Sequence, residues 1–480
     1  MTPIAGPAPR PSRRAFLGGM LGVAAAAGIS GCSADSSSSG GRPVPVPVTS
    51  RRPAGKQPNL VVILSDDHRA NSMSCAVDPP PYLTTPNLDR LAAEGVIARN
   101  AFVTTALCSP SRGTYLSGEY ASKHTVTNNL TPWNPETPTF FEPLMAAGYN
   151  CAFIGKWHMP GALPDLRGIN TFITFTAQEG QGQYIDCPLL VDGTMTPRPG
   201  TYITDDLTTL ALEWIDAQPK DQPWCLYLAH KAVHHQWVPP AEFAGAMDAV
   251  NMSDLPDEAF SFMSLMDRNI WEGTRGSIEM HYRHYLETLL GLDQQIGRLV
   301  DHVDAMGVRD NTYVVYSSDN GYSWGDHVLT GKRWAYEENT KVPFIVTGPG
   351  IPPGSETREL IINADLATTL TDWGSAGPMP KSMGKSLRNT LDGTATAPLR
   401  TEFMYEYFSD FPYNVPGLQA VRTPEWLYVE YDRGLGPELY DVVTDPQTQN
   451  NLIDSDPAKA RELAGQLAGL RQVVDAGGVV

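Results

Sequence analysis

Four groups of ionisable residues share one placement: Asp66-Asp67, Lys156 with His158, His230 with His234, and Asp319-Asn320 each follow a short, unbroken apolar run. The two aspartate-containing pairs offer only oxygen ligands, the preference of a hard divalent cation, and their carboxylates would repel one another if they met without one. Ca²⁺ is the first expectation and Mg²⁺ the second. Zinc is disfavoured, because this set contains no His or Cys. A lone Asp-Asp pair also reads as a helix cap or a turn. The other local signal is Cys108-Ser109-Pro110-Ser111-Arg112-Gly113, running into Thr114 to Leu116 and Gly118. Pro110 suits a first helical turn and Ser109 its cap, which would put Cys108 just before backbone N–H groups that favour an anion. A cysteine there is either a reactive thiolate or a small buried hydrophobe.

The elements that must position these groups are legible as continuous apolar runs, the pattern of strands buried on both faces. They are Asn59 to Leu64, Cys151 to Ile154, Trp224 to Leu228, Thr312 to Tyr316 and Pro343 to Val346, all expected to be parallel strands. Helical spacing of apolar residues marks Thr85 to Glu94, Thr204 to Asp216 and Tyr282 to Met306 between them. The implied fold is α/β, a sheet with helices on both faces. Ligands of such sheets bind beyond the carboxyl ends of the strands, so polar groups distant in sequence would converge on one crevice.

Cys-x-Pro-Ser-Arg at Cys108 to Arg112 resembles the signature of the type I sulfatases, formylglycine-dependent members of the alkaline phosphatase superfamily. The resemblance extends to Pro58-Asn59 through Asp67, Thr85 to Leu91, Gly155-Lys156-Trp157-His158, Ser318-Asp319-Asn320-Gly321, Gly325-Asp326-His327 through Lys332, and the late run Glu438 to Asp441 with Asp445-Pro446 and Asn451-Leu452. It implies an alkaline phosphatase-like fold, a mostly parallel mixed sheet between helices, followed by a smaller antiparallel sheet with one helix. It also implies that a formylglycine-generating enzyme oxidises Cys108 to an aldehyde. The hydrated aldehyde would attack the ester sulfur, and its second hydroxyl would later expel sulfate. In that scheme Asp66, Asp67, residue 108, Asp319 and Asn320 hold the metal, and Arg112 and Lys156 hold the diol. Asp319 accepts the attacking proton and His158 helps break down the intermediate. His234 and Lys332 bind sulfate near the leaving oxygen, with His235, or a purely structural histidine, as alternatives to His234. His327 either lines the site or orients its loop. The segment Arg275 to Asp304 is similar to the glycan-directed branch that includes N-acetylglucosamine-6-sulfatases, which implies a sulfated carbohydrate substrate, with simple aryl sulfates accepted as well. Asn128-Asn129 and Trp133 read as substrate contacts or as core, and the loop Phe408 to Pro416 as a substrate-selecting segment. The rival readings are a phosphonate monoester or phosphodiester hydrolase built on the same site, and a non-catalytic binder of sulfated glycans.

The N-terminal residues read as an address. Ser12-Arg13-Arg14-Ala15-Phe16-Leu17 resembles a twin-arginine export signal, and Ile29-Ser30-Gly31-Cys32 a lipoprotein box that would lipidate Cys32 and tether the chain to a membrane at the cell surface or in the periplasm. The apolar stretch is too short and glycine-rich to span a bilayer comfortably. The organisation expected is a signal over 1–32, a Ser- and Pro-rich linker over 33–57, a catalytic domain over 58–375 and a C-terminal subdomain over 376–480, with strands at Glu402 to Tyr407 and Trp426 to Tyr431 and a last helix at Pro457 to Val474. The formal charge of −18 becomes −21 once residues 1–31, with their three arginines and no acid, are removed. Such a chain is not a general nucleic-acid binder. Cys75, Cys151, Cys187 and Cys225 are expected to be mostly buried thiols, because twin-arginine export moves folded proteins from a reducing cytosol.

Overall fold

Asn59–Ser65 is apolar at its five inner positions and buried throughout, and it becomes strand β1 near the centre of the main sheet. Leu60, Val62 and Leu64 face one core and Val61 and Ile63 the other. Each such side chain removed from water contributes about 1.5–3 kcal/mol, so a strand of this composition is stable only between two covering layers. The computed structural model describes residues 57–480 apart from 162–166, 176–180, 254, 256–274, 411, 412 and 414. The expected signal, Cys32 and nearly all of the linker lie outside the described residues.

Following β1 in the main sheet are β2 (Val96–Ala98), β3 (Asn150–Gly155), β4 (Thr171–Phe175), β5 (Leu189–Val191), β6 (Thr194–Thr196), β7 (Trp224–Ala229), β8 (Thr312–Ser318), β9 (Phe344–Thr347) and β10 (Ser355–Thr357). Their spatial order is β10-β2-β9-β8-β1-β7-β3-β4-β5-β6. The central run from β8 through β1, β7 and β3 to β4 is parallel. Helices α1 (Pro86–Glu94), α3 (Ile203–Asp216) and α4 (Arg275–Ala305) pack on one another over one face. On the other lie α2 (Cys108–Ser117) and α5 (Asp365–Trp373), together with the C-terminal antiparallel sheet β11 (Phe403–Tyr407), β12 (Leu418–Arg422), β13 (Trp426–Tyr431) and β14 (Glu438–Asp441) and the helix α6 (Pro457–Asp475). The C-terminal sheet shares its core with the main sheet.

Two local expectations are corrected. The run Pro343 to Val346 forms β9, which pairs antiparallel with β8. A parallel return needs a crossover that carries the chain back to the other end of the sheet. Between β8 and β9 the chain makes two-residue strands, a single 3-10 turn and the four-residue helix Glu337–Thr340, none long enough to cross the sheet, so it re-enters from the end at which it left. The signature helix also starts earlier than its cap residue suggested. Ser111 N–H donates to the Leu107 carbonyl at 3.0 Å, making Leu107 the cap and Cys108 the first helical residue. Ser109 therefore lies inside the first turn, and its hydroxyl donates instead to the His158 carbonyl at 2.6 Å.

Cys75, Cys151 and Cys225 are free thiols, and Cys151, Cys187 and Cys225 are buried. No helix among the described residues is long and apolar enough to cross a membrane.

Candidate active site

The carboxyl ends of β8, β1, β7 and β3 are neighbours in the sheet, so the residues that follow them meet in one buried pocket. Asp66 and Asp67 follow β1, Lys156 and His158 follow β3, His230 and His234 follow β7, and Asp319 and Asn320 follow β8. Gly155 makes one of these deliveries possible. Its φ is +118°, and a Cβ there would lie 1.9 Å from the Ala229 carbonyl oxygen. Only glycine lets β3 end this close to β7, where the Lys156 N–H donates to that same carbonyl at 2.7 Å.

Helix α2 points its first turn into the pocket. Cys108 Sγ lies 2.8 Å from Lys332 Nζ, 3.6 Å from Lys156 Nζ and 3.5 Å from Asp66 Oδ1. One turn on, Arg112 donates through Nε to Asp319 Oδ2 at 2.9 Å and through Nη1 to the Lys156 carbonyl at 2.9 Å. The remaining carboxylates are matched as well: Lys156 pairs with Asp66 and Lys332 with Asp67. His234 Nε2 stands 3.8 Å from Asp67 Oδ2. The pocket thus brings together Asp66, Asp67, Cys108, Arg112, Lys156, His234, Asp319, Asn320 and Lys332, with His158 at its margin. His230 is buried, its imidazole pushed down to about 3 by burial, and it takes no part in these pairs.

Burial would raise the Asp66 carboxyl, but Lys156, with Arg112 and Lys332, holds it well below the usual range. Asp319 moves the other way, to about 6, through burial and the nearby Asp66 charge. Burial pushes the Cys108 thiol up to about 12 despite Lys156 and Lys332. Burial thus favours the protonated thiol for the unmodified residue. Burial, reinforced by Lys156, keeps the imidazoles of His158 and His234 neutral.

The donor set fits a hard cation. Ligand oxygens of Asp66, Asp67 and Asp319 lie within 4.8 Å of one another. Asn320 donates its amide Nδ2 to Asp67 Oδ1 at 2.6 Å, while its buried Oδ1 has no hydrogen-bond partner among the described residues. An orphaned amide oxygen beside three carboxylates fits a hard divalent cation, since a buried polar atom otherwise finds a hydrogen-bond partner.

The sequence profile of the sulfatase family matches residues 58–376, and that of the C-terminal region of N-sulphoglucosamine sulphohydrolase matches residues 325–472. The chain belongs to the sulfatase family. It is 28% identical to N-acetylglucosamine-6-O-sulfatase of Bacteroides thetaiotaomicron, over 83% of each chain, and 28% identical to human N-acetylglucosamine-6-sulfatase, over 86% of this chain and 83% of the relative. Among solved structures it is similar to one in complex with its substrate D-glucosamine-2-N,6-O-disulfate, with a TM-score of 0.81 and 26% identity over 88% of this chain and 99% of the other. The phosphonate monoester hydrolase of Agrobacterium radiobacter shares the alkaline phosphatase-like fold, with a TM-score of 0.72 at 22% identity over 87% of this chain and 96% of that one. The protein is accordingly a sulfuric ester hydrolase.

The sulfatase pocket also has supports that no motif announced. Gln181 accepts a hydrogen bond from Lys156 Nζ at 2.8 Å and faces His158 Nε2 at 2.8 Å. It lies in an irregular Gln-Gly-Gln segment without periodicity or family landmark, so only the tertiary contacts reveal it. Arg333, next to Lys332, is held from the C-terminal region by a buried bidentate pair with Asp410, by the Tyr413 ring 3.4 Å beneath its guanidinium and by Tyr405, whose hydroxyl donates to the Arg333 carbonyl at 2.7 Å. Three members of the Phe408 to Pro416 loop, residues 411, 412 and 414, lie outside the described residues; Asp410 and Tyr413 secure the strand of chain that carries Lys332. His327 stacks on Tyr336 with ring centroids 3.8 Å apart and contacts Thr448 Oγ1 at 3.2 Å, a loop-orienting position. His235 packs edge-on against Trp237. Asn129 Oδ1 accepts from the Ser109 N–H at 3.0 Å, occupying a free donor of the α2 terminus, and Trp133 is core beside His124 and Trp157.

Proposed function

We propose that this sulfatase hydrolyses the sulfate ester of a sulfated carbohydrate, with an oxidised Cys108 as nucleophile and Ca²⁺ held by Asp66, Asp67, Asp319 and Asn320. The observation that carries the reading is the setting of Cys108 Sγ, in the first turn of α2 and within 3.6 Å of Lys332, Lys156 and Asp66. The carbohydrate class is supported by the two N-acetylglucosamine-6-sulfatase relatives and by the structural neighbour whose substrate is a sulfated glucosamine.

Oxidation of Cys108 by a formylglycine-generating enzyme would supply a hydrated aldehyde, and so an attacking hydroxyl that the buried thiol cannot offer. A calcium ion in the acidic cluster would supply positive charge that favours entry of an anionic ester and acidifies a neighbouring hydroxyl. The chain's own groups do the rest. Arg112 and Lys156 keep the first turn of α2 and the carboxylates in register. Asp319, the carboxylate held by Arg112 within the cluster, is placed to take up the proton of the attacking hydroxyl. Lys332 remains an ammonium, since burial is outweighed by Asp67 together with Asp66 and Asp319, and it offers a charged donor where a sulfate oxygen or the departing oxygen would lie. His234, neutral in this pocket, adds a hydrogen bond from the same side.

The reading is tested by the mass of the tryptic peptide Asn100 to Arg112 from protein made with the maturation enzyme, combined with kcat/KM for sulfated N-acetylglucosamine, an aryl sulfate and a matched phosphodiester. An aldehyde at residue 108 and a preference for sulfate esters are expected. A large preference for the phosphodiester would favour the hydrolase activity of the phosphonate-cleaving relatives instead. Chelation is expected to abolish turnover by roughly 100-fold or more and to lower stability, both restored by Ca²⁺ and less completely by Mg²⁺. Activity unchanged after exhaustive dialysis against chelator would remove the metal from the scheme.

Anchoring at a membrane through lipidated Cys32 after twin-arginine export is also proposed, on the residues of the N-terminal segment alone. Fatty-acid labelling of the native chain distinguishes it from release as a free protein.

A further inference from the structure

Gln181 joins two groups of the proposed machinery, and the chemistry of one end dictates the chemistry of the other. Lys156, ion-paired with Asp66, has an ammonium with three donors and no acceptor, so the Gln181 amide must turn its oxygen toward it. The amide nitrogen, a donor only, is then the atom 2.8 Å from His158 Nε2. That ring nitrogen has to accept, so it carries no proton, and the neutral imidazole bears its proton on Nδ1. Nδ1 is buried and has no hydrogen-bond partner among the described residues. The residue is anchored from the other side as well, where the Ser109 hydroxyl donates to its carbonyl. The charged groups around the ring are Lys156, Asp66, Arg112 and Lys332, three cations against one carboxylate, a setting that opposes a second proton.

We propose that Gln181 is a positioning residue that holds His158 as the neutral Nδ1–H tautomer and so presents an unpaired N–H donor to an anionic oxygen entering the pocket. The inference deepens the sulfatase reading and rests on it for the identity of that anion, a sulfate oxygen. In the resting enzyme His158 is then a hydrogen-bond donor, and it becomes a proton acceptor only when Nε2 parts from the Gln181 amide.

Side-chain ¹⁵N NMR of the full chain labelled at histidine, with His158 assigned by comparison with a His158→Gln sample, tests the tautomer without any turnover. The expected spectrum has a protonated Nδ1 and an unprotonated Nε2 in the wild type. In Gln181→Glu the carboxylate can only accept, so the neutral ring should move its proton to Nε2. The rate readout, with an aryl sulfate as probe, is equally specific. Gln181→Glu should lose about tenfold or more in kcat at high pH and recover as pH falls, because the imidazolium regains an Nδ1 proton. Gln181→Leu should be lowered similarly at every pH. A wild-type spectrum with Nε2 protonated, or a Gln181→Glu profile parallel to the wild type, overturns the proposal. Failure of wild-type protein carrying oxidised residue 108 to cleave any sulfate ester would instead overturn the sulfatase reading, while the spectra still decide the tautomer.

Discussion

Cys108→Ser is expected to leave the fold intact and to reduce multiple-turnover hydrolysis of an aryl sulfate by roughly 10⁴-fold or more, the scale on which removal of a catalytic nucleophile acts. Serine is close to cysteine in volume, and the buried site presents Lys332 Nζ at 2.8 Å and Lys156 Nζ at 3.6 Å to the side-chain tip, so a hydroxyl is well accommodated. The loss is chemical. A serine hydroxyl can accept a sulfuryl group, but it lacks the second hydroxyl whose deprotonation would expel sulfate, and the nearby cations stabilise the trapped ester. Steady-state kcat, circular dichroism and intact mass together check this expectation. A persistent sulfate adduct on residue 108 with no further turnover is the expected pattern, and a variant that turns over at the wild-type rate would remove residue 108 from the role of nucleophile. The unmodified cysteine should be nearly as inactive, because burial holds the thiol protonated up to about pH 12.

Arg112→Ala should lower both stability and rate. The Arg112 guanidinium is buried, reaches Asp319 at 2.8 and 2.9 Å through two nitrogens, and donates to the Lys156 carbonyl. Its loss leaves a buried carboxylate without its fork, a defect that costs about 3–5 kcal/mol of unfolding free energy, more than a hydrophobic pair of similar volume in the same place. Urea unfolding in chelator, where no added cation compensates Asp319, measures it. Asp319→Asn in an Arg112→Met background should recover a good part of the stability and none of the activity, since the buried charge is gone together with the proton acceptor. Independent, additive losses from the two substitutions would show that the pair is not coupled. In the wild-type background kcat should fall about 100-fold or more for Arg112→Ala, the scale of losing one electrostatic contact to the reacting groups.

Much of this site is legible before any coordinates. Unbroken apolar runs such as Asn59 to Leu64 and Thr312 to Tyr316 become strands because a two-sided core accepts no polar face, and Asp66-Asp67 and Asp319-Asn320 follow because polar residues return where the strand leaves the core. Helix boundaries were less legible. Ser109 has the chemistry of a cap, yet Leu107 takes that position, because the Ser109 hydroxyl finds a better acceptor in the His158 carbonyl, 49 residues away. The direction of β9 departs from the sequence expectation for a related reason. A short apolar run carries the same pattern whether its neighbour is parallel or antiparallel, and only the path of the connecting chain distinguishes the two.

The sequence by itself determined which kinds of chemistry are present and where along the chain they stand. Residue type and local periodicity depend on neighbours a few positions apart, so a signature cysteine, oxygen-rich pairs and strand ends survive without a tertiary frame. Only the tertiary structure decided which of them meet. The order β8-β1-β7-β3 brings Asn320 within 2.6 Å of Asp67 across 253 residues, pairs each of three buried carboxylates with its own cation and sets an unremarked glutamine between Lys156 and His158. Those choices follow from burial. A charge or amide removed from water must find a partner, and the partner is whichever group the packed sheet places within reach.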